Sequence, residues 1–273
     1  MIIRSNAHTH CNFCDGADSA EEMVKAALSC GFSDLGFSCH GYTPFETEYS
    51  LKDSCGEAYR AEIKRLKKLY AGRINISCGV EQDFYAPVVR RDYDYLIGSV
   101  HYLQDTNRSV YYGVDADQQT LSACIDQMFG GDALAMVEQF YCISAENALK
   151  HKPDIIGHFD LVTKFNASNL FFDQQSAAYQ RIAVTALEQA AKSEAIFEIN
   201  TGAVARGFTS VPYPEPFLLQ SLQKMGGRVI ISSDCHSVEQ IDSGFEDALH
   251  LVKECGFCRI SVLEDGEFRE KTI

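Results

Sequence analysis

Val229-Ile230-Ile231-Ser232-Ser233-Asp234-Cys235-His236 is a short apolar run that ends on a carboxylate and an imidazole. Brief, rich in β-branched side chains and bounded by polar residues, such a run reads as a strand buried on both faces, as in a parallel sheet. The pattern recurs along the chain. Residues 33–37 lead into Ser38-Cys39-His40, 74–79 into Val80-Glu81, 95–100 into His101, and 154–156 into Gly157-His158. At the start, Met1-Ile2-Ile3 precedes His8-Thr9-His10, with Asp15 five residues further on. Residues i and i+2 of a strand share a face, so His8 and His10 can grip one ion together.

Helical patterns fit between these strands at 19–30, 56–70, 174–192, 215–225 and 238–255, with Asp18 or Ser19 as the first N-cap and Gly31 as its stop. A strand at 196–199 and a small closing one at 259–263 complete the set. About seven alternating strand–helix units indicate an α/β fold and suit a barrel better than an open sheet. The stretch 104–151 breaks the rhythm. It is expected as an insertion, mostly helical over 117–128 and 132–150, that opens with Val110-Tyr111-Tyr112-Gly113 and forms a lid or wall over the site. Tyr111 or Tyr112 has the reach to stack on an imidazole ring. With no fixed-period repeat, linker or low-complexity segment, residues 1–273 are expected to form one domain.

The chain carries 38 acidic and 24 basic side chains, a formal net charge of -14. That argues against a general nucleic-acid binder, which needs a basic footprint. No run approaches the roughly 18–20 apolar residues of a membrane span, and the first ten residues are too polar for a signal peptide. Eleven cysteines, an odd number spread along the chain, fit a reduced cytoplasm with most thiols as small buried hydrophobes. Cys11/Cys14 and Cys255/Cys258 are CxxC pairs too far apart for a zinc ribbon. The first pair is expected only to brace the loop between His10 and Asp15. Oligomeric state is left open.

Six of the eight histidines lie just past apolar runs, while His151 and His250 fall within helices and read as surface or packing residues. In a parallel β/α barrel the C-terminal strand ends form one face, and that face holds the active site. Any one of these histidines alone would more often be structural. Together with the nearby acids, which lack a matching Lys or Arg each, they point to metal ions. The candidate ligands are His8, His10, Asp15, His40, Glu81, His101, His158, Asp234 and His236. A zinc-like ion takes three or four protein ligands, so this set suits two or three ions if a carboxylate bridges. Glu81 is the expected bridge.

In order along the chain, His8-Thr9-His10 with Asp15, Ser38-Cys39-His40-Gly41, Gly79-Val80-Glu81-Gln82-Asp83-Phe84, Gly98-Ser99-Val100-His101-Tyr102-Leu103, Gly157-His158-Phe159-Asp160-Leu161-Val162 and Ser232-Ser233-Asp234-Cys235-His236 resemble the PHP (polymerase and histidinol phosphatase) superfamily. Within it they are most similar to the monofunctional histidinol-phosphatases. The resemblance implies a distorted seven-stranded TIM-like β/α barrel holding two or three divalent ions of zinc, manganese or iron. It gives His8, His10, Glu81 and Asp234 to a first ion and Glu81, His101 and His158 to a second. Asp15, His40 and His236 go to a third. Position 15 is often a histidine in relatives; aspartate there still offers a ligand and tilts the site toward harder ions.

The same resemblance implies hydrolysis of a small phosphate monoester, L-histidinol phosphate, by a hydroxide shared between two metals, with Glu81 central to catalysis and no enzyme nucleophile. Cys39 and Cys235 flank ligands but lack the basic setting of an active thiolate. Arg206, in the loop after the sixth strand, is expected to hold phosphate through its planar fork, and Lys164 is a second candidate. The plainer reading of either is a solvated surface charge. Asp160, two residues past His158, is the candidate general acid or a brace for a ligand, with a purely structural role equally open. Glu198 has the reach to face a substrate amine, though the pleat alone turns half of such acids elsewhere. Three alternatives compete. One is a PHP phosphoesterase for nucleotides or other small phosphates, and another an amidohydrolase, which would want a bridging lysine where this chain offers Glu81. The third is a non-catalytic metal-binding module with closed four-ligand sites.

Overall fold

Short apolar strands alternate with helices along the chain, and strands close in sequence become neighbours in one sheet. The computed structural model describes residues 2–52, 56–87, 90–105, 107 and 109–273. Its strands are β1 (Ser5–Asn6), β2 (Asp34–Phe37), β3 (Asn75–Asp83), β4 (Tyr95–Ser99), β5 (Tyr102–Asp105), β6 (Val110–Gly113), β7 (Ile155–Ile156), β8 (Ile196–Asn200), β9 (Arg228–Ser232), β10 (Arg259–Glu264) and β11 (Glu267–Thr272). The helices are α1 (Ala20–Ser29), α2 (Glu57–Leu69), α3 (Gln118–Phe129), α4 (Ala133–His151), α5 (Ala177–Ala190), α6 (Gly202–Ala205), α7 (Pro216–Lys224) and α8 (Phe245–Glu254). Among the described residues no helix is long and apolar enough to cross a membrane.

The sheet runs β1-β2-β3-β4-β7-β8-β9-β10-β11, parallel throughout except for the final antiparallel hairpin. Past β1, Thr9 bridges Cys235 in parallel, and His10 N donates to Cys235 O at 2.9 Å. The chain beyond β1 therefore meets the end of β9, and the sheet curls into the expected distorted α/β barrel. The expected closing strand is β10, and β11, which the sequence did not announce, turns back along it. The β5–β6 hairpin stands apart as a two-stranded sheet.

Local chemistry explains several boundaries. Ser19 caps α1 reciprocally: Glu22 N donates to Ser19 Oγ at 3.3 Å and Ser19 N to Glu22 Oε2 at 2.9 Å. The long helix expected over 238–255 is shorter, because Gly244 takes a left-handed φ of 74° and α8 starts after it. The apolar start also proves different: Ile2 is 75% exposed, and only Ser5–Asn6 pairs as strand.

Alternate residues of the strands point into the barrel, and they sort by height. A lower layer of Ala7, Tyr95, Ile97, Ile155, Ile196 and Ile230 packs together, with Phe268 from β11 against it. Two residues further along each strand the inward row turns polar: Ser99 follows Ile97, Glu198 follows Ile196, and Ser232 follows Ile230. The Tyr95 ring lies flat across β2 and β3, and its hydroxyl donates to Ala7 O at 2.5 Å and Phe37 O at 3.1 Å. Gly36 and Gly79 make that path possible, since a Cβ at either would overlap the tyrosine. Gly79→Ala is expected to lower stability by about 1–3 kcal/mol through overpacking, measured as a fall in denaturant midpoint with an unchanged slope.

Candidate metal centre

All nine ligands expected from the sequence meet at the C-terminal ends of the barrel strands. The pleat of β3 turns Gly79, Glu81 and Asp83 to one side, which carries Glu81 up from the tyrosine layer into the centre. Its Oε2 lies 2.9 Å from His40 Nδ1, 3.2 Å from His8 Nε2 and 3.5 Å from His10 Nε2. Its Oε1 lies 2.9 Å from His158 Nε2 and 3.4 Å from His101 Nε2. Asp234 Oδ1 is 3.1 Å from His10 Nε2 and 3.4 Å from His8 Nε2. On the outer side, Asp15 approaches His236 at 3.2 Å and His40 at 3.7 Å. Asp234 holds a left-handed φ of 47°, a costly conformation for a residue with a side chain and one that clusters at functional sites.

These residues form three overlapping groups whose ligand atoms lie within 4.8 Å of one another: His8/His10/Glu81, His40/Glu81/His101, and His10/Asp15/His40/His236. His8 Nε2, His10 Nε2, Glu81 Oε2 and Asp15 Oδ1 are buried without a hydrogen-bond partner. Unpaired buried polar atoms cost about 1–3 kcal/mol each, more when charged. A cation among them would pair all four, and nitrogen and oxygen donors of this kind suit divalent transition metals. The residues fit the group. Electrostatics agree with a tightly coupled cluster: burial opposes charge on His8, but Glu198, Asp234 and Glu81 outweigh it and raise its pKa to about 10. Burial likewise opposes ionisation of Glu81, yet His8, His40 and His101 hold its carboxyl well below the usual range.

Above the centre opens a cleft of about 560 Å³, lined by Asp15, His40, His101 and His236 on its floor. The matching profile of the PHP domain family covers residues 6–202, well over half of the sequence. The chain belongs to the PHP domain family. It is 25% identical over 295 aligned positions to a Schizosaccharomyces pombe protein named "Probable histidinol-phosphatase", covering 100% of this chain and 93% of that one. With the Bacillus subtilis histidinol-phosphatase it shares 26% identity, over 89% of this chain and 97% of the relative. In fold it is similar to the Lactococcus lactis histidinol phosphate phosphatase crystallised with zinc, L-histidinol and phosphate. There the TM-score is 0.72 and the identity 20%, across 98% of this chain and 100% of that one.

The PHP centre is held from behind by residues that the sequence reading passed over or misplaced. Glu198 does not face the cleft. Buried beneath His8, its Oε1 lies 2.6 Å from His8 Nδ1 and accepts from Ser232 Oγ at 2.8 Å, while Oε2 accepts from His158 N at 2.9 Å. It orients one candidate ligand and the backbone of another. Asp83 accepts from His101 N at 2.8 Å, and its place two residues past Glu81 was the available signal. Asp160 is fully buried and outside the cleft lining, and its Oδ2 accepts from Glu215 N at 2.8 Å, at the start of α7, a placement that favours the structural role over the general acid. Burial pushes its carboxyl up to about 8, a consequence of its structural place.

Arg206 and Lys164 do line the cleft. Arg206 Nη1 donates to Asp234 O at 2.8 Å, and Lys164 Nζ to Asp115 O at 2.8 Å. Tyr111, Gly113 and Asp115 bring the 104–151 stretch to the cleft wall. Its tyrosines stack on no imidazole: Tyr111 lies on Phe45 at 3.6 Å, and Tyr112 is buried with its hydroxyl donating to Gln127 at 3.0 Å.

Two outcomes follow. Asp160→Asn, which keeps an acceptor for Glu215 N, is expected to leave turnover unaltered, measured as kcat and KM; a large loss of kcat would restore the general-acid role. The neighbouring carboxylates Glu198, Asp234 and Glu81 favour the protonated form of His8, so metal uptake is expected to displace protons. Zinc affinity is therefore expected to rise about tenfold per pH unit for each proton displaced, checked by chelator competition between pH 6 and 8.

Proposed function

We propose that this chain is a divalent-metal-dependent phosphomonoesterase that hydrolyses L-histidinol phosphate to L-histidinol and phosphate. One observation carries the reading: two cationic side chains, Arg206 and Lys164, face the acid-and-imidazole centre across a single cleft. A phosphate dianion needs positive charge on several sides, and fixed charges in a cleft stabilise the charge that develops during transfer. Arg206 is held against Asp234, Nη1 donating to its carbonyl at 2.8 Å and Nη2 to Oδ2 at 3.3 Å, and lies 3.2 Å from His236 Nδ1, so its guanidinium would meet a phosphate beside the outer ligands. Lys164, fixed on Asp115, adds a second cation to the cleft lining, 5.0 Å from the Phe208 ring.

His8, His10, Glu81 and Asp234 would hold a first ion, Glu81, His101 and His158 a second, and Asp15, His40 and His236 a third. Two or three ions of zinc, manganese or iron suit these donors; when bound, they supply a water nucleophile at neutral pH and neutralise charge on the phosphoryl group. No protein nucleophile is needed. Among the described residues no cysteine lines the cleft, and burial pushes the Cys235 thiol up to about 11. The rest of the cleft favours a cation-bearing ester over a nucleotide. Glu46 and Asp83, with Tyr49, Tyr102 and Tyr111, also line the cleft, acidic and aromatic groups that complement a protonated amine and an imidazole. The named histidinol-phosphatase relatives, matched over nearly their whole lengths, support the same substrate.

A phosphate-release panel on the metal-loaded protein tests the substrate. L-histidinol phosphate is expected to exceed nucleoside monophosphates and sugar phosphates in kcat/KM by at least about tenfold, or ~1.4 kcal/mol in the transition state. Turnover of histidinol phosphate no better than the generic esters would remove this reading. Glu81→Ala is expected to abolish turnover and to deplete the metal content by more than one ion; an active variant would sink the bridging role.

A further inference from the structure

Every residue assigned to the third ion has a cysteine as its chain neighbour. Cys14 precedes Asp15, Cys39 precedes His40 and Cys235 precedes His236, while Cys11 follows His10 of the first ion. His101 and His158, which serve only the second ion, have no such neighbour. Folding then gathers three of these thiols behind the centre. Cys11 Sγ lies 3.4 Å from Cys39 Sγ, and Cys14 Sγ lies 3.4 Å from both Cys11 O and His10 Nδ1. Cys11, Cys14 and Cys39 are all buried, all free thiols, and unused by the phosphatase chemistry.

We propose that Cys11 and Cys39 are an oxidative modification site, closed to a disulfide by hydrogen peroxide or a comparably small two-electron oxidant, and that closure empties the third-ion position. The inference rests on the metal-centre reading above. In the first step one thiol sulfur attacks a peroxide oxygen; the O–O bond breaks, a sulfenic acid forms, and the thiol proton leaves with the released oxygen as water. In the second, the other thiol attacks the sulfenic sulfur, the S–O bond breaks, and a second water departs. Two thiols lose two electrons and two protons, and the peroxide accepts them.

The consequence for the metal follows from distance. A disulfide needs its sulfurs about 2.05 Å apart, so a pair now at 3.4 Å must close by more than an ångström. Both cysteines are bonded directly to an imidazole-bearing residue. Cys11 also carries the next loop with it, because its carbonyl accepts from Cys14 N at 3.0 Å and Gly16 N at 3.2 Å. At Gly16 a Cβ would overlap the Cys11 backbone, so this loop cannot slide independently. Closure that draws the two backbone segments together would shift Asp15 and His40, and a bound ion needs its ligand distances kept within about 0.2 Å of their usual values. His101 and His158 of the second-ion set have no cysteine beside them, although Glu81 N donates to Cys39 O at 3.1 Å.

The test uses zinc-loaded full-length protein, since zinc itself has no redox chemistry. After exposure to hydrogen peroxide, peptide mass mapping is expected to find Cys11 linked to Cys39, and a chromogenic chelator to capture at least one zinc per chain. Dithiothreitol with added zinc should reverse both changes. Cys39→Ser and, separately, Cys11→Ala should retain their zinc under the same exposure. Undiminished zinc release from both variants, or mapping that finds Cys11 and Cys39 still reduced once zinc is lost, would overturn the proposal. The zinc content of the untreated protein, measured first, judges the metal-centre reading separately.

Discussion

Glu81 places a carboxylate where water does not reach, and five imidazole nitrogens stand 2.9–3.5 Å from its two oxygens. Leaving such a charge buried and unpaired would cost several kcal/mol, so the ends of β1, β2, β4 and β7 are tied to where β3 delivers this one side chain. The coupling runs both ways. The imidazoles hold the Glu81 carboxyl well below the usual range, and Glu198, Asp234 and Glu81 together raise the pKa of His8 against the cost of its burial.

The barrel meets this demand by division of labour along each strand. Lower inward positions are apolar and pack around Tyr95, while upper ones carry Ser99, Glu198, Ser232 and the ligands. A period of two residues makes the two layers inseparable: shifting β3 by one residue would turn both Gly79 and Glu81 outward. Apolar packing below therefore sets the register of the polar cluster above. Glu198 belongs to that second layer of support, and it fixes His8 through Nδ1 while Nε2 stays free for a ligand role.

Much of this was legible in the chain because the signals were local. Past the first few residues, each apolar run followed by histidine or an acid announced a strand end, and Ser19 with Glu22 announced the start of α1. Where reading failed, the information was not local. Glu198 lies in a strand buried on both faces, so no alternation of polarity revealed which way it points. Asp160 sits beside a ligand in sequence, yet a turn after His158 directs it to the base of α7. Gly244 ended a helical pattern that hydrophobic periodicity alone would have continued. Nor did spacing suggest that Cys11 pairs in space with Cys39, 28 residues away.

By itself the sequence determined the kind of fold and the kinds of donor at each strand end, because strand period, helix caps and ligand chemistry are properties of neighbouring residues. Tertiary structure alone decided which donors share an ion, which carboxylate faces the cleft and which braces from behind, and which thiols touch. Those relations depend on how the sheet curls until Thr9 meets Cys235. Residues more than two hundred positions apart become neighbours there, and no local rule reports a distance across a closed barrel.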